Sequence, residues 1–173
     1  MEFYKALDIV NYNIKSLEDI IEIDINESLN YVISSDIISE VNIPHYRTSM
    51  RDGYAILYSE TKKDYKIEGK IFAGEELLEL DLGICKYIAT GGILPDNTDT
   101  VIMIENVEII NNTIKLKKIP EKGEWIREIG SDVKSGEIVI KKGELIDEGS
   151  IATLISIGVK KIPVIRKPKI GIL

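Results

Sequence analysis

The sequence predicts a mostly β fold with a few helices, an α+β class, on three observations. Only two stretches carry the apolar spacing of a helix, near residues 2–14 and 149–157. Between residues 44 and 142 the apolar runs are short and stop at Gly, Asn, Asp or Pro, which is the pattern of strand, turn, strand. Charge also divides the chain. Residues 1–43 hold nine acids and two bases, residues 44–142 hold seventeen and fifteen, and residues 143–173 hold three and five. The acidity belongs to the amino-terminal segment, so an anionic ligand is better received by the nearly balanced middle.

Taken in order, Phe3, Leu7, Val10 and Ile14 set the first helix, whose end Asn11 and Asn13 weaken. Ile21, Ile23 and Ile25 alternate with Glu22 and Asp24 as a half-buried strand, after which Asn26 can cap a short helical turn. Tyr31-Val32-Ile33 and Ile37-Ile38 read as short strands. Pro44 then ends an element and pushes Ile43 into an extended conformation. Strands are expected at 54–58, 65–72, 84–89, 101–105, 107–110 and 113–116, the last two joined by the hairpin signal Asn111-Asn112. Two glycine-led phrases, Ser135–Ile140 and Lys142–Ile146, each read as a turn into a short strand. Asp147 is placed to cap the second helix and Gly158 to end it. Strands over 159–166 and 169–173 close the chain.

The 173 residues hold one medium domain or two small ones. No apolar run approaches the roughly 20 residues that span a bilayer. The amino terminus lacks the basic segment and apolar core of an export signal, and the lone Cys85 forms no internal disulfide. These features point to a cytoplasmic protein without a membrane partner, and Cys85 reads as a buried strand residue. A net charge of −7 lacks the basic face of a general nucleic-acid binder. A single histidine, His45, rules out a histidine-cluster metal site within the chain.

The densest polar run is Pro44–Ala55, where Asp52-Gly53 is a turn dipeptide entering a strand. Thr90-Gly91-Gly92 places a hydroxyl beside two residues that let backbone approach an oxyanion. Asp132 follows Arg127 by five positions in another glycine-punctuated loop. Each has a plain alternative. Asp52 can serve its own turn, Thr90-Gly91-Gly92 can simply end a strand, and Asp132 can pair with Arg127 on a solvated loop. Glu105 reads as a ligand or as a charge protecting an edge strand.

Pro44 and Ser49-Met50-Arg51-Asp52-Gly53-Tyr54-Ala55 resemble the Pro…Ser-Ala-Met-Asp-Gly-Tyr-Ala signature of the MoeA/gephyrin family, whose members insert molybdenum into molybdopterin. The resemblance continues in register through Phe72-Ala73-Gly74-Glu75, Thr90–Pro95, Asp99–Glu105, Arg127–Asp132 and Ile162–Pro168. Two departures stand out: Asn30-Tyr31 replaces the usual Gly-Arg, and Arg51 places a cation beside Asp52.

The resemblance implies a fold like the MoeA amino-terminal region: a linker domain split into 1–43 and 143–173, with a β-rich module at 44–142 inserted. The catalytic α/β domain and carboxy-terminal domain of the family are absent, so the chain reads as the front portion of a longer protein. It further implies a molybdopterin molybdenumtransferase, a homodimer at full length, of which this chain supplies one wall of the site. Molybdate and adenylated molybdopterin are the expected substrates and a divalent cation, magnesium, the expected cofactor. Asp52, Thr90 and Asp132 take the catalytic positions, with Asp52 as metal ligand. Ser49, Arg51, Gly91, Gly92 and Arg127 take binding positions. Alone, the chain is expected to be inactive. The alternative is a non-catalytic dimerisation or scaffolding module of the same fold.

Overall fold

The computed structural model describes residues 2–15, 17–60, 62–72 and 79–172; Ala73-Gly74-Glu75, quoted above, lie outside them. The chain forms two compact units, one from Met1–Glu40 with Gly136–Leu173 and one from Val41–Ser135. Residues 136–142, expected in the inserted module, belong to the outer unit because Ile138–Ile140 pairs with Ile37–Ile38 there.

In chain order the elements are α1 (Phe3–Asn13), β1 (Ile20–Asp24), β2 (Val32–Ile33), β3 (Ile37–Ile38), β4 (Thr48–Ser49), β5 (Gly53–Ile56), β6 (Asp64–Ile71), β7 (Ile84–Ile88), β8 (Thr100–Met103), β9 (Val107–Ile110), β10 (Thr113–Leu116), β11 (Ile126–Arg127), β12 (Ile138–Ile140), α2 (Glu148–Ser156) and β13 (Lys161–Ile165). Single 3-10 turns occupy Ile25–Glu27 and Ile104–Asn106.

The outer unit is built on a three-stranded sheet ordered β1-β13-β2, with β3 and β12 as a separate antiparallel pair. Its interior gathers Ile25, Ile33, Ile140, Ile146, Leu154, Ile162 and Val164. Asp147 caps α2, its Oδ1 accepting from the Ser150 N–H at 2.7 Å, and Gly158 leaves the helix at φ 83°. The earlier 3-10 turn is capped by Asp24 rather than Asn26: the Asp24 carboxylate accepts from the Asn26 N–H at 2.9 Å. Residues 169–172 form no strand, and Ile170 and Ile172 are exposed. Helix α1 buries none of its residues, and its stripe Phe3, Leu7, Val10 and Ile14 faces solvent.

The inserted unit centres on a six-stranded sheet ordered β8-β5-β7-β6-β10-β9, antiparallel except for β6 against β7. Strand β5 lies between β7 and β8 and is buried on both faces. Tyr54 and Ile56 join Tyr65, Cys85, Ile102, Val107 and Ile114 on one face; Ala55 joins Leu80, Ile88, Leu94 and Val101 on the other. Burial pushes the Cys85 thiol up to about 12, which fits a packing residue and not a nucleophile. The β9–β10 hairpin turns on Asn111 and Asn112 at φ 47° and 61°, the left-handed geometry of a two-residue turn. A short pair not anticipated from sequence, β4 with β11, sets Ser49 opposite Ile126 and Thr48 opposite Arg127.

Candidate functional site

Asp52 and Thr90 meet because of the register between β5 and β7. Gly53 stands opposite Ile88, so the residue before β5 and the turn after β7 emerge at the same end of the pair. There Asp52 Oδ1 accepts from the Thr90 N–H at 2.7 Å and from its Oγ1 at 3.0 Å. Asp52 thus serves a residue 38 positions away and not merely its own turn. The backbone bond from Thr90, then its hydroxyl, holds the carboxyl below the ordinary aspartate value of 3.8. The arrangement is a fixed, ionised carboxylate at the mouth of a loop.

The adjoining chain is knitted to this turn. The Ile104 N–H donates to the Asp52 carbonyl at 3.2 Å, so the 3-10 turn after β8 lies beside it. Arg51, Asp52, Thr90, Met103, Ile104 and Glu105 together line a cavity of about 190 Å³. Glu105 therefore belongs to a turn on this cavity and not to an edge strand. Among the described residues Arg51 is the only base in the lining, and the Lys117 ammonium donates to the Glu105 carbonyl at 3.2 Å.

The glycine loop is held from beneath by β4. Ser49 N–H donates to the Gly92 carbonyl at 2.9 Å, and the Gly91 N–H donates to the Ser49 carbonyl at 2.8 Å. Gly92 is required by packing, since a Cβ there would lie 2.6 Å from Ile88 Cγ1. The Ser49 side chain is buried, and its hydroxyl donates to the Arg51 carbonyl at 2.5 Å. It braces the turn and does not line the cavity. Arg47 adds a clamp that sequence reading missed, donating from Nη2 to the carbonyls of Pro95 at 3.1 Å and Asp96 at 2.6 Å.

Asp132 lies in a separate loop. It forms an exposed ion pair with Arg127, which holds its carboxyl below the usual range. Its loop is fixed by the Asp132 N–H donating to the Ile43 carbonyl at 2.9 Å and the Gly130 N–H to the Pro44 carbonyl at 3.1 Å. Neither Asp132 nor Arg127 lines the Asp52 cavity. Of the three expected catalytic residues, two touch and the third is engaged elsewhere, with β4 and β11 as the link between the loops.

Arg51, expected at a binding position, is seated on an aromatic ring. Its guanidinium lies over the Trp125 ring, 4.8 Å from the centroid, and the lowered pKa of Asp52 is owed to the Thr90 bonds. Trp125 carried no sequence signal of this role, because the contact joins positions far apart in the chain.

Thr90→Val removes the hydroxyl and keeps the stronger backbone bond. We expect the Asp52 titration to move part of the way back toward 3.8, read by carbon-detected NMR of the carboxyl. The sign follows from the depressed folded value. Stabilisation by these bonds is complete above the ordinary aspartate range and is lost as pH falls through the folded value, so the variant loses it at higher pH than the native chain.

As to metal, no group of three or more His, Cys, Asp or Glu among the described residues is arranged to cage an ion. One or two carboxylates at an open cavity do fit magnesium, which commonly completes its octahedron with water and substrate phosphates. Asp52, with Glu105 on the same lining, would hold it. Among the described residues no helix is long and apolar enough to cross a membrane.

Comparison with known proteins places this geometry in context. The molybdopterin molybdenumtransferase of Haemophilus influenzae is 34% identical over 155 residues, which take in 87% of this chain and 38% of that protein. Gephyrin of Dictyostelium discoideum is 32% identical over 169 residues, covering 88% of this chain and 24% of that one. The crystal structure of the molybdopterin biosynthesis MoeA protein from Pyrococcus horikoshii aligns with a TM-score of 0.78 at 34% identity, covering 97% of this chain and 45% of that chain. The chain thus spans less than half the length of each of these relatives. Residues 1–158 match the family model described as MoeA N-terminal region (domain I and II), and the chain belongs to that family.

Proposed function

We propose that this chain supplies one wall of a site that inserts molybdate into adenylated molybdopterin. The observation that carries the reading is the Asp52–Thr90 lock at the mouth of a cavity shared with Glu105 and Arg51. Both substrates are anions, and a wall for them needs a fixed carboxylate for a cation and a base for phosphate oxygens. Asp52 supplies the first, as an aspartate ionised at neutral pH whose charged form the Thr90 bonds favour further. Thr90 fixes its rotamer with two bonds to a single oxygen, which leaves the second oxygen for a ligand. A bound magnesium would offset negative charge on the phosphate oxygens of the adenylated substrate. The exposed Gly91 backbone at φ 80° allows close approach beside Thr90. Asp132 and Arg127 hold the neighbouring loop in place through their ion pair.

Sequence coverage favours an assembly in which other parts of a longer protein close the cavity, since this chain covers 38% of the Haemophilus enzyme. The reading predicts no metal insertion by this chain alone and turnover when it is fused ahead of the remainder of that enzyme. AMP release from adenylated molybdopterin supplied with molybdate is the measurement. Robust turnover by the chain alone would sink the one-wall reading.

A further inference from the structure

We infer that Arg51 is the phosphate-binding group of this cavity and that Trp125 is the positioning residue that seats it. The inference rests on the site reading above and names the side chains that recognise the substrate's phosphates. Three observations carry it.

First, the cavity has Asp52 and Glu105 on its lining and only Arg51 to oppose them. An anion entering it is repelled by the two carboxylates and attracted by that guanidinium, with the Lys117 ammonium nearby on the Glu105 carbonyl at 3.2 Å. Second, the Arg51 guanidinium carbon lies over the Trp125 ring, 4.8 Å from its centroid. A guanidinium carries a fork of N–H groups that takes a phosphate through two parallel bonds. No carboxylate pairs with Arg51 among the described residues.

Third, the seat is rigid. Trp125 packs against Ala55, Leu80, Ile88, Leu94 and Val101. Its carbonyl accepts from the Met50 N–H at 2.9 Å, next to Arg51 itself. Its backbone is held at φ 61°, an uncommon conformation for a bulky residue that persists only where surrounding bonds impose it. The same two strands, β4 and β11, that carry the loop also carry the ring. A flexible side chain is thereby fixed before a ligand arrives, which lowers the ordering cost of binding.

Trp125 is the single tryptophan of the chain, so its emission reports on the contact. The test is titration of inorganic pyrophosphate with magnesium into this chain, followed by tryptophan emission and by calorimetry. The native chain should show saturable binding. Arg51→Gln should weaken it by roughly tenfold or more, as expected on losing charged hydrogen bonds. Trp125→Leu should weaken it by about fivefold, the scale of a lost cation–π contact, and Trp125→Phe should restore most of that affinity.

Unchanged affinity in Arg51→Gln and Trp125→Leu would overturn the inference and leave the Asp52 reading intact. So would a Trp125→Leu chain that melts earlier yet binds normally, since that describes a purely structural ring. Absence of saturable binding in the native chain would overturn the inference, while the site reading is decided separately by turnover of the fused protein.

Discussion

Gly53→Ala is expected to destabilise the inserted unit by about 3 kcal/mol or more, as overpacking against fixed backbone does. A Cβ at Gly53 would stand 2.2 Å from the Ile102 carbonyl oxygen, 2.9 Å from its carbon and 3.0 Å from Val101 Cγ1. Two of those atoms are backbone of β8, paired to β5 from Gly53↔Met103 through Ile56↔Thr100, so they have nowhere to go. Strand β5 is also held from the other side by β7, which closes the opposite escape. The damage reaches the site, because Gly53 directly follows Asp52 and its displacement pulls the carboxylate off Thr90. Gly91→Ala is the control. Gly91 has φ 80° but no atom within 4 Å of its added Cβ, so only the left-handed backbone is strained, at about 1 kcal/mol. Denaturant unfolding of both variants checks the difference. Equal losses at the two positions would mean that β8 can move away from β5 and absorb the added methyl group.

Asp52→Asn is expected to lower turnover of the fused protein by about a hundredfold or more while leaving its melting temperature nearly unchanged. The asparagine carbonyl still accepts from the Thr90 N–H and hydroxyl, so the lock between the two loops survives. What disappears is the negative charge facing the cavity, and with it the anionic ligand for a cation. Charge and scaffold are thus separated in one substitution. AMP release measures the first and thermal unfolding the second. Normal turnover would remove Asp52 from the chemistry, and a collapse in melting temperature would show that its charge is chiefly structural.

Local signals were readable in the chain. The hairpin at Asn111-Asn112 and the cap and stop of α2 at Asp147 and Gly158 depend on neighbours within a few residues, so their chemistry is written in one window. The chain's membership in its family was legible for another reason, since several spaced motifs fall in register. The β4–β11 pair was not legible. Each strand has two residues, and the partners come from distant parts of the chain, so neither shows a period. The same holds for the Asp52–Thr90 contact and for Arg51 over Trp125. The residue types suggested polar loops, but the register of β5 against β7 decided which loops touch. Asp132 was named from resemblance, while the local spacing to Arg127 already described the partner it takes.

The pairing of β3 with β12 puts Ile38 opposite Ile138, with the Ser39 N–H donating to the Glu137 carbonyl at 2.9 Å. Everything from Val41 to Ser135 therefore occupies the place of a hairpin turn. Each doubling of an unstructured loop adds only about 0.6 kcal/mol to the entropy of closing it, yet a span this long still slows the search for its ends. A module that has already collapsed brings those ends together, so the expected order of assembly runs from the inside outward, the β3–β12 zipper closing last.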